Sequence, residues 1–293
     1  MNKELSGFDP RQKMLRPDFE VIHKCDMDLR DVELHHHDFY EVNFLISGHV
    51  TYVIESRVYH VRPGDMLIIS PRELHQVHIC SDAAPYERYM LWISPTALQQ
   101  LSAEQVDLSR CFDISRSNYR NLLHVPAEWR DVIPSMLETL CREQEEPNFG
   151  TDMMCRNLLS GLMVLVNRLA EQPAAAEQES PSGKVVSRVI DYINLHYHEA
   201  LSLERLAERF FVSKYHLSHA FHQQMDIGVY QFIQKKRLLI ARQLMAQGQK
   251  PVEVYAACGF RDYAAFFRAF RKVYGLSPRE YVKTMNPNQE EHF

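Results

Sequence analysis

Residues Gly259 to Tyr281 read GFRDYAAFFRAFRKVYGLSPREY, with five cationic side chains and seven Phe or Tyr rings in one short segment. Phe266, Ala269, Phe270 and Val273 recur at helical spacing, which predicts one buried apolar stripe. Arg268, Arg271 and Lys272 fall on other faces of the same helix, where they can meet a polyanion. Asp262 stands at the N-cap position and Gly259 at the turn before it.

The segment has a second copy upstream. Shifted by 49 residues, Leu203, Leu206, Ala207, Phe211 and Ser213 fall on Val252, Tyr255, Ala256, Phe260 and Asp262. Leu217, Ala220, Phe221 and Phe232 fall on Phe266, Ala269, Phe270 and Tyr281. Each copy parses as helix, turn, helix. In the first, Leu203, Leu206, Ala207 and Phe210 share a face, and the chain breaks near Phe211 and Val212. Ser213 then caps a helix that buries Leu217, Ala220 and Phe221. Between the copies Tyr230 to Ala246 predicts a longer helix held by Ile233, Ile240, Ala241 and Leu244. Two capped helices on a stiff spacer suit successive major grooves, roughly 34 Å apart on one face of a duplex.

Charge divides the chain in the same place. Residues 1–183 carry 17 Lys and Arg against 28 Asp and Glu, a net of −11, whereas residues 184–285 carry 16 against 8, a net of +8. The six cysteines (25, 80, 111, 141, 155, 258) show no CxxC and no paired spacing, which fits reduced thiols in a cytoplasm. The amino terminus lacks an apolar signal region, and no apolar run reaches the length of a membrane span.

The GF turn, polar cap, F-x-R-x-F followed by two basic residues, and G-x-S-P-x-x-Y resemble the signature of the AraC/XylS transcription regulators. The resemblance runs from Ser187 to Lys283 and includes the pattern around Arg237, Leu238 and Ala241. It implies an all-α DNA-binding domain of two helix-turn-helix units. By resemblance and facing, the first recognition helix offers Lys214, Tyr215, Ser218, His219 and His222, and the second Tyr263, Ala264, Phe267 and Arg268. Arg268 is the strongest candidate, because Arg binds guanine bidentately. Arg271, Lys272, Lys235 and Lys236 are assigned to phosphate, which fixes register without reading sequence. The sequence departs from the family at Asp226, where Gly is usual, and at Val282, where Arg is frequent.

Upstream, FYEVNFLIS, HVTYVIES, RVYHV, DMLIIS and YERYMLWIS read as short strands with Gly, Pro, Asp and Ser turns, hence an antiparallel barrel or sandwich. After Pro126 the period turns helical, with Met154, Leu158, Leu162, Leu165 and Leu169 forming a stripe. This pair of helices either packs on the barrel or makes a dimer seam. The expected order is an effector domain over 1–125, the helical pair over 126–171, a linker over 172–183, the basic module over 184–285 and a loose tail over 286–293. The class is α+β.

One cluster in the first domain bears on chemistry. His35, His37 and Glu41, followed by His75 and His78, are borderline metal ligands. The run H-x-H-x3-E-x6-G from His35 to Gly48 resembles a cupin barrel, which implies an effector pocket lined by His35, His37, Glu41 and His75. The same four are the candidate ligands of a divalent metal; no other cofactor is called for. On a straight strand, four residues would separate His37 from Glu41 by about 13 Å, so a shared metal requires a bend near Asp38 and Phe39. Tyr40, Tyr52, Arg57 and Trp92 are candidates for the pocket wall.

The leading expectation is a cytoplasmic, dimeric, one-component regulator that binds promoter DNA and a small effector of the sugar class, with RNA polymerase as a further partner. It is not expected to be an enzyme or to contact a membrane. Two rivals are a metal-dependent cupin isomerase or dioxygenase with a DNA-binding passenger, and a ligand-insensitive architectural DNA binder.

Overall fold

The computed structural model describes residues 13–27, 32–71, 73–79, 84–173 and 181–285. The chain divides into two compact units, residues 1–178 and 179–293. Most of the expected linker (174–180) and the expected tail (286–293) lie outside the described residues, as do residues 1–12.

Among the described residues, the first unit contains nine strands: β1 Phe19–Asp26, β2 Val32–His35, β3 Tyr40–Ser47, β4 Val50–Ile54, β5 Arg57–Val61, β6 Asp65–Ile69, β7 His75–Ile79, β8 Tyr86–Ile93 and β9 Leu122–His124. They form two antiparallel sheets, ordered β1-β8-β3-β6-β9 and β2-β7-β4-β5. Four strands escape the sequence reading. β1 and β7 alternate only weakly, and β2 and β9 are short pieces whose pairing defines them.

Strand alternation creates two cores from one sheet. Val42 and Phe44 of β3 pack with helical residues, whereas Leu45 packs with Tyr52, Tyr59, Leu67 and Tyr86 between the sheets. The five-stranded sheet is therefore covered on both faces, and all five residues of β6 are buried.

Its outer cover comprises α1 Pro95–Leu101, α2 Val132–Glu145 and α3 Thr151–Glu171. The buried face of α3 is Cys155, Leu159, Leu162, Met163, Val166, Leu169 and Ala170. Met154 is exposed and Leu158 and Leu165 are half-buried, so the true stripe is rotated from the expected one. The cause is that Cys155, Met163 and Val166 complete a wider apolar arc than a Leu-only count reveals.

The second unit is all-α: α4 Pro181–His196, α5 Leu203–Arg209, α6 Lys214–Met225, α7 Val229–Ala246, α8 Pro251–Ala257, α9 Tyr263–Tyr274 and α10 Pro278–Met285. Ser213 Oγ accepts from the His216 amide at 3.1 Å, and Asp262 Oδ1 accepts from the Ala265 amide at 2.7 Å. These caps start the second helix of each copy as expected. Ser277 and Glu280 exchange reciprocal hydrogen bonds at the start of α10, at 2.7 and 3.2 Å.

The repeat register is not uniform. Over the first helices and turns the backbone pattern matches at 48 residues, not 49. Val212 N donates to Ala207 O as Phe260 N donates to Tyr255 O, and Phe211 N to Glu208 O as Gly259 N to Ala256 O. From the caps onward the shift is 49, because Arg261 is an extra residue in the second turn. Phe211 therefore corresponds to Gly259, and both adopt positive φ, 55° and 78°.

The two positions should respond oppositely to substitution. A Cβ on Gly259 would sit 2.7 Å from the His198 carbonyl oxygen, so Gly259→Ala combines left-handed strain with a backbone clash. It should cost at least about 2 kcal/mol. Phe211 is 96% exposed, so its ring contributes no packing. Phe211→Gly should change stability by about 1 kcal/mol or less. Thermal unfolding of both variants checks the contrast.

Candidate functional site

The polar cluster of the first unit lies where the chain crosses between sheets. Glu41 and Asn43 share the inner face of β3 with Leu45, and His75 shares the inner face of β7 with Val77. Between the end of β2 at His35 and the start of β3 at Tyr40, the chain leaves the four-stranded sheet and joins the five-stranded one. That crossing brings His37 Nε2 to 2.7 Å from Glu41 Oε2. The extended-strand separation does not apply, because residues 36–39 are not strand.

The ligating atoms of His37, Glu41 and His75 lie within 4.8 Å of one another, all buried. His35 stands beside them, its ring centroid 4.1 Å from that of His75 and its Nδ1 donating to Glu33 O at 2.8 Å. It is not one of the converging three. His78 lies on the other face of β7, its ring 3.0 Å from the Gln76 amide.

Burial alone would raise the pKa of Glu41, but the hydrogen bond and charge of His37, with further help from His75 and Asn43, hold it down at about 2. Burial, reinforced by the charges of His35 and His37, pushes His75 well below the ordinary histidine range. At neutral pH the cluster thus presents a carboxylate and a neutral imidazole.

Around it, Asn43 Nδ2 donates to Glu41 Oε1 at 2.6 Å. The hydroxyls of Tyr52 and Tyr86 bond at 2.7 Å, and Arg88 sits 3.8 Å over the Tyr86 ring while pairing with Asp26 at 2.7 Å. Trp92 lies tilted against Phe39 with ring centroids 4.6 Å apart, and its buried Nε1 lacks a hydrogen-bond partner, as does His75 Nε2. Buried polar atoms left this way are what a bound polar ligand would satisfy.

Of the expected wall residues, Tyr52 and Trp92 are buried here. Tyr40 packs instead against Phe112 at 4.5 Å, and Arg57 reaches the Tyr119 carbonyl at an exposed site, so neither faces the cluster. Sequence reasoning missed Asn43, Tyr86 and Arg88. Asn43, two residues from Glu41 on the same strand, was the readable signal.

A second buried network adjoins it. Glu73 accepts hydrogen bonds from Ser70 N (2.8 Å), Tyr119 Oη (2.6 Å) and Asn121 Nδ2 (3.0 Å), while Asn121 Oδ1 accepts from Tyr59. Burial dominates those donors and raises the Glu73 carboxyl to about 7.

In the second unit, Lys214, Tyr215, Ser218, His219 and His222 of α6 are exposed, as are Ala264, Arg268, Arg271 and Lys272 of α9. Tyr263 and Phe267 are half-buried; Tyr263 rests on Phe266 and Tyr255 with ring centroids 5.9 and 5.8 Å apart. Lys214 Nζ pairs with Glu204 Oε1 at 2.9 Å, tying the start of α6 to α5. Lys236 is 6% exposed, so it does not share the surface of Arg271. Its position on α7 places it in the helix's buried set, next to Leu238 and Leu239.

Comparisons with known proteins agree with both units. The AraC-like ligand binding domain matches residues 16–163, and a helix-turn-helix domain matches residues 206–284. An uncharacterized HTH-type transcriptional regulator of Staphylococcus aureus (strain COL) is 24% identical over 244 residues, 82% of this chain. The chain spans only 31% of that relative's length. A protein named "Probable transcriptional regulator LumQ", of Photobacterium leiognathi, is 37% identical over 92 residues, 31% of this chain and 37% of that protein. A crystal structure of unsaturated fatty acid bound ToxT from Vibrio cholerae aligns over 96% of this chain and 100% of its own, at 14% identity and a TM-score of 0.40. With a ligand-binding model covering half its length and a helix-turn-helix model over residues 206–284, the chain belongs to the AraC family of regulators.

Proposed function

We propose that this chain is a sequence-specific DNA-binding transcriptional regulator controlled by a small-molecule effector. The observation that carries the reading is the duplicated, capped helix-turn-helix with exposed cationic and hydrogen-bonding side chains on α6 and α9. Arg268, with Tyr263, Ala264 and Phe267, reads bases from α9; Lys214, Tyr215, Ser218, His219 and His222 read from α6; Arg271 and Lys272 hold phosphate. Lys214 must exchange Glu204 for DNA on binding.

The effector occupies the inter-sheet cluster of His37, Glu41 and His75, flanked by His35. A hydroxyl-rich ligand of the sugar class suits it: carboxylate, amide and imidazole can bond hydroxyls, while Trp92 and Phe39 offer ring faces. The regulator acts in the cytoplasm as a homodimer and contacts RNA polymerase, and effector binding shifts the population of DNA-competent arrangements. No reaction is assigned to it; a metal-dependent isomerase or dioxygenase is the second reading, favoured by the three converging ligating groups.

Mobility-shift titration of the full chain on promoter fragments tests the reading. Arg268→Ala should weaken binding by about 1–3 kcal/mol, roughly 5- to 150-fold, and relax base preference at one position. Lys272→Ala should weaken binding to every sequence alike and reduce the salt slope by about one. Identical affinity for all duplexes would rule out sequence-specific regulation, and turnover of an effector candidate would favour the enzyme.

A further inference from the structure

We propose that the first helix-turn-helix unit grips DNA in a proton-dependent way: His219 and His222 of α6 bind the duplex as imidazolium ions and take up protons as they do so. The inference rests on the DNA-binding reading above and assigns that site a regulation by pH. From the caps onward the two copies align at a shift of 49 residues, which places His219, His222 and Gln223 on Arg268, Arg271 and Lys272. The buried sets match under the same shift, Leu217, Ala220 and Phe221 on Phe266, Ala269 and Phe270. All six polar positions are exposed. One surface is thus permanently cationic in the second copy and titratable in the first.

The placement on α6 fits this role. At about 100° per residue, His219 stands opposite the buried stripe of Leu217, Ala220, Phe221 and Met225, with His222 on the same outer face. Tyr215 stacks beside His219, ring centroids 6.3 Å apart. Lys214, the only Lys or Arg in α6, is already paired with Glu204 of α5 at 2.9 Å. His216, on the flank of the outer face, is the other histidine of this helix and aligns with Ala265.

α6 packs on α4, α5 and α7. Besides Glu204, their carboxylates are Asp191 and Glu208, and among the described residues neither forms an ion pair with α6. Arg188 of α4 and Arg209 of α5 lie over the rings of Phe210 and Tyr192, and Arg237 of α7 donates to Tyr197 O and Glu199 O. The other charge on these helices is cationic: Lys184 and His196, Arg205, and Lys235, Lys236 and Arg242. The anion that His219 and His222 meet is therefore the DNA. Phosphate and the N7 and O6 edge of guanine only accept hydrogen bonds, a neutral imidazole has one donor, and an imidazolium has two and a positive charge. Nearby phosphate favours the charged form, so binding takes up protons. Imidazole is the side chain that changes charge between about pH 5 and 8. Affinity should rise as pH falls through that range and level off once the free chain is itself protonated. The contribution of α9 should stay constant, since Arg and Lys are charged throughout.

The test titrates the full chain, by fluorescence anisotropy at fixed ionic strength, onto a duplex that it enriches from a random-sequence pool. Between about pH 8.5 and about pH 6 the affinity should rise about 50-fold, a little under tenfold per histidine. The salt slope should steepen by about 1 to 2 over the same interval. His219→Gln combined with His222→Gln should flatten the profile, and His216→Gln should leave it in place. His219→Arg combined with His222→Arg should bind at about pH 8.5 as tightly as the wild type does at about pH 6. Circular dichroism establishes that each variant is folded, and the Arg pair decides the matter if the Gln pair is not. A flat wild-type profile, or a wild-type profile in the folded Gln pair, would overturn the proposal. Base preference retained alongside a flat profile would leave the DNA-binding reading standing. If the pool yields no preferred sequence, that reading fails instead, and the same profiles measured on the unselected pool still decide the proton dependence.

Discussion

Replacing Phe270 by alanine should destabilise the second unit by about 3–5 kcal/mol. Phe270 is fully buried, and its ring meets those of Phe266, Tyr274 and Tyr281 at 5.6, 4.4 and 5.6 Å. It joins α9 to α7 through Leu238, Ala241 and Met245 and to α10 through Tyr281. Deleting it leaves a cavity that these rigid rings cannot fill by small shifts. The loss should exceed that of a typical single substitution, because the 18-residue connector α7 depends on the same cluster. Chemical denaturation measures the change. Arg268→Ala is the control: an exposed side chain on the same helix, whose removal should weaken DNA binding while leaving the unfolding midpoint within about 0.5 kcal/mol of wild type. Equal destabilisation by both variants would contradict the assignment of one face to core and the other to solvent.

The second large effect is pH-dependent and belongs to the first unit. The Glu73 carboxyl is raised from an ordinary 4.5 to about 7 by burial, against the opposing donors Tyr119, Asn121 and Ser70. The folded state therefore holds a proton that the unfolded state releases. This contribution is fully present below pH 4.5 and is lost as pH rises through 7. The shift corresponds to about 3 kcal/mol across that window. His75 works in the opposite direction, since its depressed pKa costs stability as pH falls below about 6.5. Glu73→Gln isolates the first effect. Measured in EDTA, the stability of the variant relative to wild type should be constant below about pH 4.5 and should then improve by about 3 kcal/mol by pH 8. A flat difference curve would show that Glu73 stays ionised in the folded protein.

The neighbours of Glu73 explain the size of this shift. Glu55 adds negative charge nearby, and the groups that lower the carboxyl are the neutral donors Tyr119, Asn121 and Ser70. Glu41, equally buried, goes the other way because His37 stands 2.7 Å from it. Two carboxylates in one small unit are thus set apart by the partners of Glu41, with His37 first and His75 and Asn43 behind it.

Much of the second unit was legible from residue order. The caps Ser213 and Asp262, the buried Phe221, Phe266 and Phe270, and the left-handed residue after α6 all follow from spacing within one or two turns. Asp226 adopts φ 52°, as its alignment with Gly275 implied. The one-residue slip between the copies was not legible, because side-chain matching favours the helices after the turn. Backbone hydrogen bonds decide the register before it. Lys236 misled for a related reason: a lysine on an interior helix can be taken up by packing that residue type does not announce.

The first unit divides differently. Strand runs with strong alternation were readable, and so was the list of histidines. Their convergence was not. His37 and Glu41 lie four residues apart, but they meet only because the chain changes sheets between them. His75 joins them through pairing with β2 and β4, at a separation of 38 residues in sequence from His37. By itself, then, the sequence determined the helices, caps, charge division and family, since each depends on interactions within a few turns or on residue type. The tertiary structure alone decided which of four candidate ligands face one another, because strand pairing and the crossing between sheets set distances that no local spacing encodes.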